Sequence, residues 1–279
     1  SHSHLSILDD LLNRGSGDIH LIAGWDPSLT PFHPTGETLP PSAGSPLYRE
    51  YWIRDIDASP ALLATPDAYG NGDSVLTIGA SNQTGAVRVG TRLGDLVAAG
   101  HAVNLYGGGS ASAATQLGFH PGATGQGADG DIDLHVKSGG LLLEGGGGQY
   151  SYAQIGHGGN GSTDGNQHLG DISIRFSESG DLTLNGGSTY AYAQIGHGGL
   201  SLNASHSGII DIRGNGTARV GDVSLNSGAS YAYTQIGHGG GNVGGTTYKG
   251  GDANGSIWID SAGKVTVSAA GQGAYSQIG

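Results

Sequence analysis

Tyr150-Ser-Tyr-Ala-Gln-Ile-Gly-His-Gly-Gly159 returns as Tyr190-Ala-Tyr-Ala-Gln-Ile-Gly-His-Gly-Gly199 and again as Tyr231-Ala-Tyr-Thr-Gln-Ile-Gly-His-Gly-Gly240. A shortened copy, Ala274-Tyr-Ser-Gln-Ile-Gly279, ends the sequence. Gln154, Gln194, Gln235 and Gln277 stand 40, 41 and 42 residues apart. A fixed period of this size marks a stacked-repeat architecture, in which each unit buries its apolar face only against its neighbours. Gln116-Leu-Gly118 is a degenerate earlier copy, and Ala86-Val-Arg-Val-Gly90 a more distant one.

Outward from this motif, the rest of each unit alternates apolar and polar residues. Gly130-Asp-Ile-Asp-Leu-His-Val136, Gly170-Asp-Ile-Ser-Ile174, Asp181-Leu-Thr-Leu184, Asp222-Val-Ser-Leu225, Ser256-Ile-Trp-Ile259 and Lys264-Val-Thr-Val267 place apolar side chains at i and i+2. That is the period of a half-buried strand. Each unit reads as Gly-Asp-Ile-x-Ile, then Asp-Leu-x-Leu, then Tyr-x-Tyr-x-Gln-Ile-Gly, then a variable Gly/Asn/Ser loop. Three short strands turned by glycines predict an all-β parallel β-helix, one coil per repeat of about 40 residues, with two coils of about 20 as the competing register. A β-propeller is a weaker rival, because its blades carry four strands. Near the start, Gly17-Asp-Ile-His-Leu-Ile-Ala-Gly24 alternates like a strand. The apolar spacing of Leu5-Ser-Ile-Leu-Asp-Asp-Leu-Leu12 predicts one or two helical turns.

Composition sets the limits. The chain has 279 residues, of which 56 are glycine, and a formal charge of −12. Glycine at that level disfavours long helices. Eleven scattered cations supply no basic face for nucleic acid. No apolar run is long enough for a helical membrane span. Cysteine is absent, which excludes disulfides, iron–sulfur clusters and thiol nucleophiles. Eight of the nine prolines lie between Pro27 and Pro66. The expected organisation is a first coil over 1–26, an irregular Pro-rich insertion or flap over 27–73, and repeated coils over 74–279. Because Gln277-Ile-Gly279 lacks the His-Gly-Gly of the other copies, the chain is expected to be a piece of a longer solenoid.

Gly17-Asp-Ile-His-Leu-Ile-Ala-Gly-Trp-Asp26, Ser74-Val-Leu-Thr-Ile-Gly79, Val87-Arg-Val-Gly-Thr-Arg92 and the Gln-Ile-Gly-His-Gly-Gly units together resemble the long secreted adhesins of the filamentous haemagglutinin family. The resemblance covers most of the chain, residues 27–73 least. It implies a right-handed parallel β-helix at the surface of, or secreted by, a Gram-negative bacterium. The amino-terminal secretion domain of that family is not recognisable in this sequence.

Ile155, Ile195, Ile236 and Ile278 are expected to stack inside the coil. Tyr152, Tyr192, Tyr233 and Tyr275, with Gln154, Gln194 and Gln235, then occupy the opposite face of the same strand. Stacked rings and amides stabilise a sheet along its ladder. An outward ladder would also offer a flat aromatic strip to sugar rings, with Gln and Ser as hydrogen-bond partners; the opposite register puts Tyr and Gln inside. His157, His197 and His238 share one repeat position. They are weak metal candidates, since stacked imidazoles point the same way rather than converge; protonated together in acid, they would repel. Gly158-Gly-Asn-Gly-Ser-Thr-Asp164 is similar to the nonapeptide calcium repeat Gly-Gly-x-Gly-x-Asp with the Asp one place late, which makes calcium the one candidate cofactor. Acids are spread singly: Asp131, Asp171, Asp211 and Asp222 start strands, where Asp caps turns. No acidic pair suited to glycoside chemistry stands out, and no enzyme activity is expected. The expected function is a segment of a fibrous adhesin, with reach from stacked coils and repeated weak contacts to glycans or cell surfaces. The alternatives are a self-assembling structural filament and, third, a carbohydrate-active enzyme.

Overall fold

The computed structural model describes residues 4–24, 73–121, 126–161, 167–200, 204–241 and 253–279. The Pro-rich segment, apart from Asp73, lies outside them, as does the second part of the calcium-like loop. Among the described residues every regular element is a strand.

The strands form four sheets. The first runs β1 (Leu5–Ile7), β4 (Val75–Gly79), β7 (Ala102–Tyr106), β11 (Leu141–Glu144), β15 (Leu182–Asn185), β19 (Val223–Asn226) and β23 (Val265–Ser268). The second runs β3 (Ile19–Ile22), β6 (Leu96–Gly100), β10 (Ile132–Val136), β14 (Ile172–Phe176), β18 (Ile210–Gly214) and β22 (Ile257–Ile259). The third runs β2 (Leu11–Asn13), β5 (Val87–Thr91), β8 (Thr115–Leu117), β12 (Ala153–Ile155), β16 (Ala193–Ile195), β20 (Thr234–Ile236) and β24 (Ser276–Ile278). A fourth, shorter sheet holds β9 (Ala128–Asp129), β13 (Gln167–Leu169), β17 (Ser205–Ser207) and β21 (Ala253–Asn254). All pairs are parallel. Consecutive strands fall in different sheets, and each sheet recruits one strand from each successive stretch of chain. This arrangement is compatible with a parallel β-helix. A rung, below, means one such set of strands.

The register follows the sequence motif. Ile155 pairs with Ile195, Ile195 with Ile236 and Ile236 with Ile278, so the motif adds one rung per copy. Gln116 pairs with Gln154, and Arg88 with Gln116, which places both degenerate copies in the same sheet. Inside, the columns Leu96–Ile132–Ile172–Ile210 and Leu143–Leu184–Leu225 meet the isoleucine column in one core that excludes solvent almost completely. Each such side chain contributes about 1.5–3 kcal/mol on leaving water.

Leu5–Leu12 is not helical: it supplies β1 and β2, paired with β4 and β5. An eight-residue segment gains little from helical hydrogen bonds, whereas an adjacent strand edge satisfies its backbone at once. The variable loop also carries a strand that the repeat pattern concealed. Gln167–Leu169 and Ser205–Ser207 pair with each other across the fourth sheet.

Of the aspartates expected to cap turns, Asp131, Asp171 and Asp222 do so, between rungs; Asp211 instead lies inside β18, where its buried carboxylate binds Arg175 and Arg213. The backbone N–H of Asp95 donates to Asp18, that of Asp131 to Asp95, that of Asp171 to Asp131, and that of Ile209 to Asp171. A second staircase runs from the N–H of Asp222 to Asp181 and from that of Lys264 to Asp222. Charge-assisted bonds of this kind are stronger than neutral ones.

Candidate functional site

The third strand of each rung carries columns of isoleucine, tyrosine and glutamine, and the structure buries all three, on two opposite faces. Ile155, Ile195 and Ile236 face the main core as expected. Tyr152, Tyr192 and Tyr233 point the other way, yet they too are sealed, in a second small core with Ala114 and Leu200. Their rings stack with centroids 4.6 and 4.7 Å apart. Only Tyr275, stacked 4.9 Å from Tyr233, stays half-buried. The outward sugar-binding strip expected of these tyrosines is therefore corrected: the chain after the strand covers them. A side chain at Gly159 or Gly199 would collide with the Tyr152 or Tyr192 hydroxyl, so these glycines are what lets the cover lie flat.

The glutamines are sealed with the tyrosines. Their amides do not bond to one another along the ladder. Gln154 Nε2 donates to the carbonyls of Gly196 and Gly198 at 3.0 and 2.9 Å, and Gln194 Nε2 to those of Gly237 and Gly239 at 3.1 and 2.8 Å. The Tyr192 hydroxyl donates back to Gln154 Oε1 at 3.1 Å, and that of Tyr233 to Gln194 Oε1 at 3.0 Å. Each Tyr–Gln pair thus ties its rung to the next, in a site without water to compete. Burial, then neighbouring tyrosines, pushes the Tyr192 and Tyr233 hydroxyls well above their ordinary range, so they remain donors.

His157, His197 and His238 stack at 4.9 Å spacing. Each ring spends both nitrogens. Nδ1 of His157, His197 and His238 accepts the backbone N–H of Phe119, His157 and His197 in turn. Nε2 reaches the carbonyls of Gly130, Gly170 and Gly208 at 2.8–3.0 Å. This pairing fits a neutral imidazole protonated on Nε2, with no lone pair left for a metal. Burial lowers His157 to about 4 and His197 well below its ordinary value; His238 is lowered as well. Among the described residues no group of three potential ligands could hold a metal ion. Likewise, no helix among them is long and apolar enough to cross a membrane.

The accessible column is a different one. Tyr150, Tyr190 and Tyr231 stack at 5.1 Å, partly exposed, with Tyr231 39% exposed. Their hydroxyls have no hydrogen-bond partner among the described residues. All three hold positive φ, 61°, 59° and 57°. The same place is Ser112 (φ 60°) one rung earlier and Gly273 (φ 65°) one rung later. A left-handed backbone costs an L-residue about 1–2 kcal/mol, and strain repeated at one position is a pointer to function. The stacking covers the ring faces. What the column offers is a row of ring edges and free phenol hydroxyls at the rung spacing, not flat faces for sugar stacking. The sequence carried one signal for this: glycine at 273 replaces the first tyrosine of the motif, as a left-handed turn position permits.

Compared with protein-family models, with curated proteins and with solved structures, the chain matches none.

Proposed function

We propose that the chain is a right-handed parallel β-helix segment of a long fibrous adhesin, similar to the filamentous haemagglutinin family, exposed on or secreted by a Gram-negative bacterium. It performs no chemistry. Stacked rungs give it reach, and the repeated outer column gives it weak contacts to a glycan or cell surface. Linked weak contacts add up to avidity without a strong single site. The observation that carries this reading is the Tyr150–Tyr190–Tyr231 column. It is identical in successive rungs, half exposed, and kept in a backbone conformation that glycine would adopt at lower cost.

Tyr190→Gly tests it. Relief of strain and loss of a half-buried ring oppose each other at about 1–2 kcal/mol each, so stability should change by less than about 1 kcal/mol. Binding to a glycan array and to whole cells should fall several-fold. Unchanged binding would remove the column from the adhesive role.

One observation favours the structural-filament reading: the Tyr152–Gln154 lattice is wholly internal and serves only cohesion between rungs. Purified protein that forms rods, with blank binding assays for the intact chain, would decide for the filament.

A further inference from the structure

Two tyrosine ladders run side by side, and their surroundings are opposite. The inner one, Tyr152, Tyr192 and Tyr233, is sealed, and the hydroxyls of Tyr192 and Tyr233 donate to Gln154 and Gln194. The outer one, Tyr150, Tyr190 and Tyr231, is partly open to water, and its hydroxyls have no hydrogen-bond partner among the described residues. Its rings stack at 5.1 Å with interplanar angles of 7° and 15°. Successive rings are thus near-parallel copies one rung apart, and the carbons ortho to each hydroxyl have counterparts close at hand in the next ring. A rung lies on either side of this ladder: the N–H of Ser112 donates to the Gln149 carbonyl, and that of Tyr231 to the Gln272 carbonyl. Its exposure therefore belongs to the side of the stack and not to an end.

The sequence leaves oxidants few other targets. Cysteine and methionine, whose sulfur oxidises readily, are both absent. Without cysteine, no disulfide can staple one rung to the next. An outer phenol losing an electron can release its proton to water. An inner phenol can only hand its proton to a glutamine carbonyl oxygen, an acceptor of hydrogen bonds but not a base.

We propose that Tyr150, Tyr190 and Tyr231 form an oxidative cross-linking site, where hydrogen peroxide acting through a haem peroxidase joins neighbouring rings as dityrosine. Each of two rings gives up one electron and its phenolic proton. The two radicals pair their electrons in a new bond between ortho carbons. The hydrogens displaced from those carbons move to the oxygens and restore both phenols. In sum, two tyrosines and one hydrogen peroxide give one dityrosine and two waters. The rings must turn from face-to-face toward edge-to-edge, which their open side permits. Links from Tyr150 to Tyr190 and from Tyr190 to Tyr231 would close loops of about 40 residues, and constrain the unfolded chain as a disulfide does. The reaction involves no glycan, so it can fail without the adhesive reading failing, and the reverse.

The test treats the full chain with hydrogen peroxide and a haem peroxidase. Dityrosine fluorescence, intact mass and peptide mapping read the product. The expected result is a monomer lighter by two hydrogens per bond, with Tyr150 linked to Tyr190 or Tyr190 to Tyr231, and a urea midpoint shifted upward. Tyr190→Phe keeps a ring in the stack but should lose nearly all of this product, because Tyr150 and Tyr231 are then two rungs apart. Circular dichroism checks that the variant keeps its strands, and mapping of the unaltered chain decides if it does not. Absence of dityrosine, links only between separate chains, links to Tyr152, Tyr192 or Tyr233, or an undiminished yield in Tyr190→Phe would overturn the assignment. An unchanged urea midpoint after cross-linking would overturn the stapling role.

Discussion

Gly196 shows how little freedom a single position has when rungs are stacked. Its φ is +148°, and a Cβ there would run into the carbonyl of Gly237 in the next rung. That atom is backbone and cannot step aside. Gly196→Ala should therefore cost about 3 kcal/mol, comparable to truncating a core side chain. Gly216 makes the control. Its φ is +61° but nothing lies within 4 Å of the added carbon, so Gly216→Ala should cost only about 1 kcal/mol of backbone strain. Urea denaturation of the two variants measures the difference, and equal costs would mean that the rungs yield more easily than their spacing suggests. The glycines of the motif were visible in the sequence as a repeat. Which of them are sterically obligatory was not, because the colliding atom belongs to a residue about forty positions away.

At the scale of the element, alternation in Tyr152-Ala-Gln-Ile155 correctly divided the strand into two faces. It could not say what covers the second face, since a period of two reports direction and not accessibility. The cover comes from the glycine turn that follows and from Leu200, contacts that no local pattern encodes. The same limit hid the fourth sheet, where Gln167–Leu169 has no alternation long enough to stand out. It also explains why Leu5–Leu12 reads as a helix until its partner strands are known. Because the Tyr–Gln lattice is sealed, its members should fail in a defined order. Tyr192→Phe removes one donor and leaves Gln154 Oε1 unpaired, at a cost of about 1–2 kcal/mol. Gln154→Leu strips a donor from two glycine carbonyls and an acceptor from Tyr192, so it should cost more, about 2–4 kcal/mol. Thermal or urea unfolding of both variants gives the order, and the reverse order would show that the tyrosine hydroxyls, not the glutamine amides, hold the rungs together.

For the whole molecule, stacking turns a property of one histidine into a property of the fold. Burial, ahead of neighbouring charge, lowers His120, His135 and His157 to about 4, and it lowers His197 and His238 too. As the pH falls below the ordinary histidine value of 6.5, the unfolded chain takes up protons that the folded chain refuses. Their contribution is therefore complete above about pH 6.5 and declines toward pH 4, where His120, His135 and His157 take up their protons; His197, held well below its ordinary value, carries the decline on to lower pH. For His157 alone the gap is worth roughly 3 kcal/mol at the acid end. Asp131 and Asp133, raised mainly by burial, oppose this, but only as the pH enters the carboxylate range. The net expectation is a loss of several kcal/mol between pH 7 and about pH 4.5. The repulsion foreseen from three stacked imidazoles plays a secondary part, since His197 feels His157 and His238 less than it feels its own burial. Urea midpoints at a series of pH values measure the slope directly. His197→Gln should lower stability at pH 7, because it breaks the bonds to His157 and Gly170, and should flatten the acid slope. A midpoint independent of pH between 7 and 4.5 would mean that these rings are solvated in the folded chain, and the neutral column of bridged imidazoles would have to be abandoned.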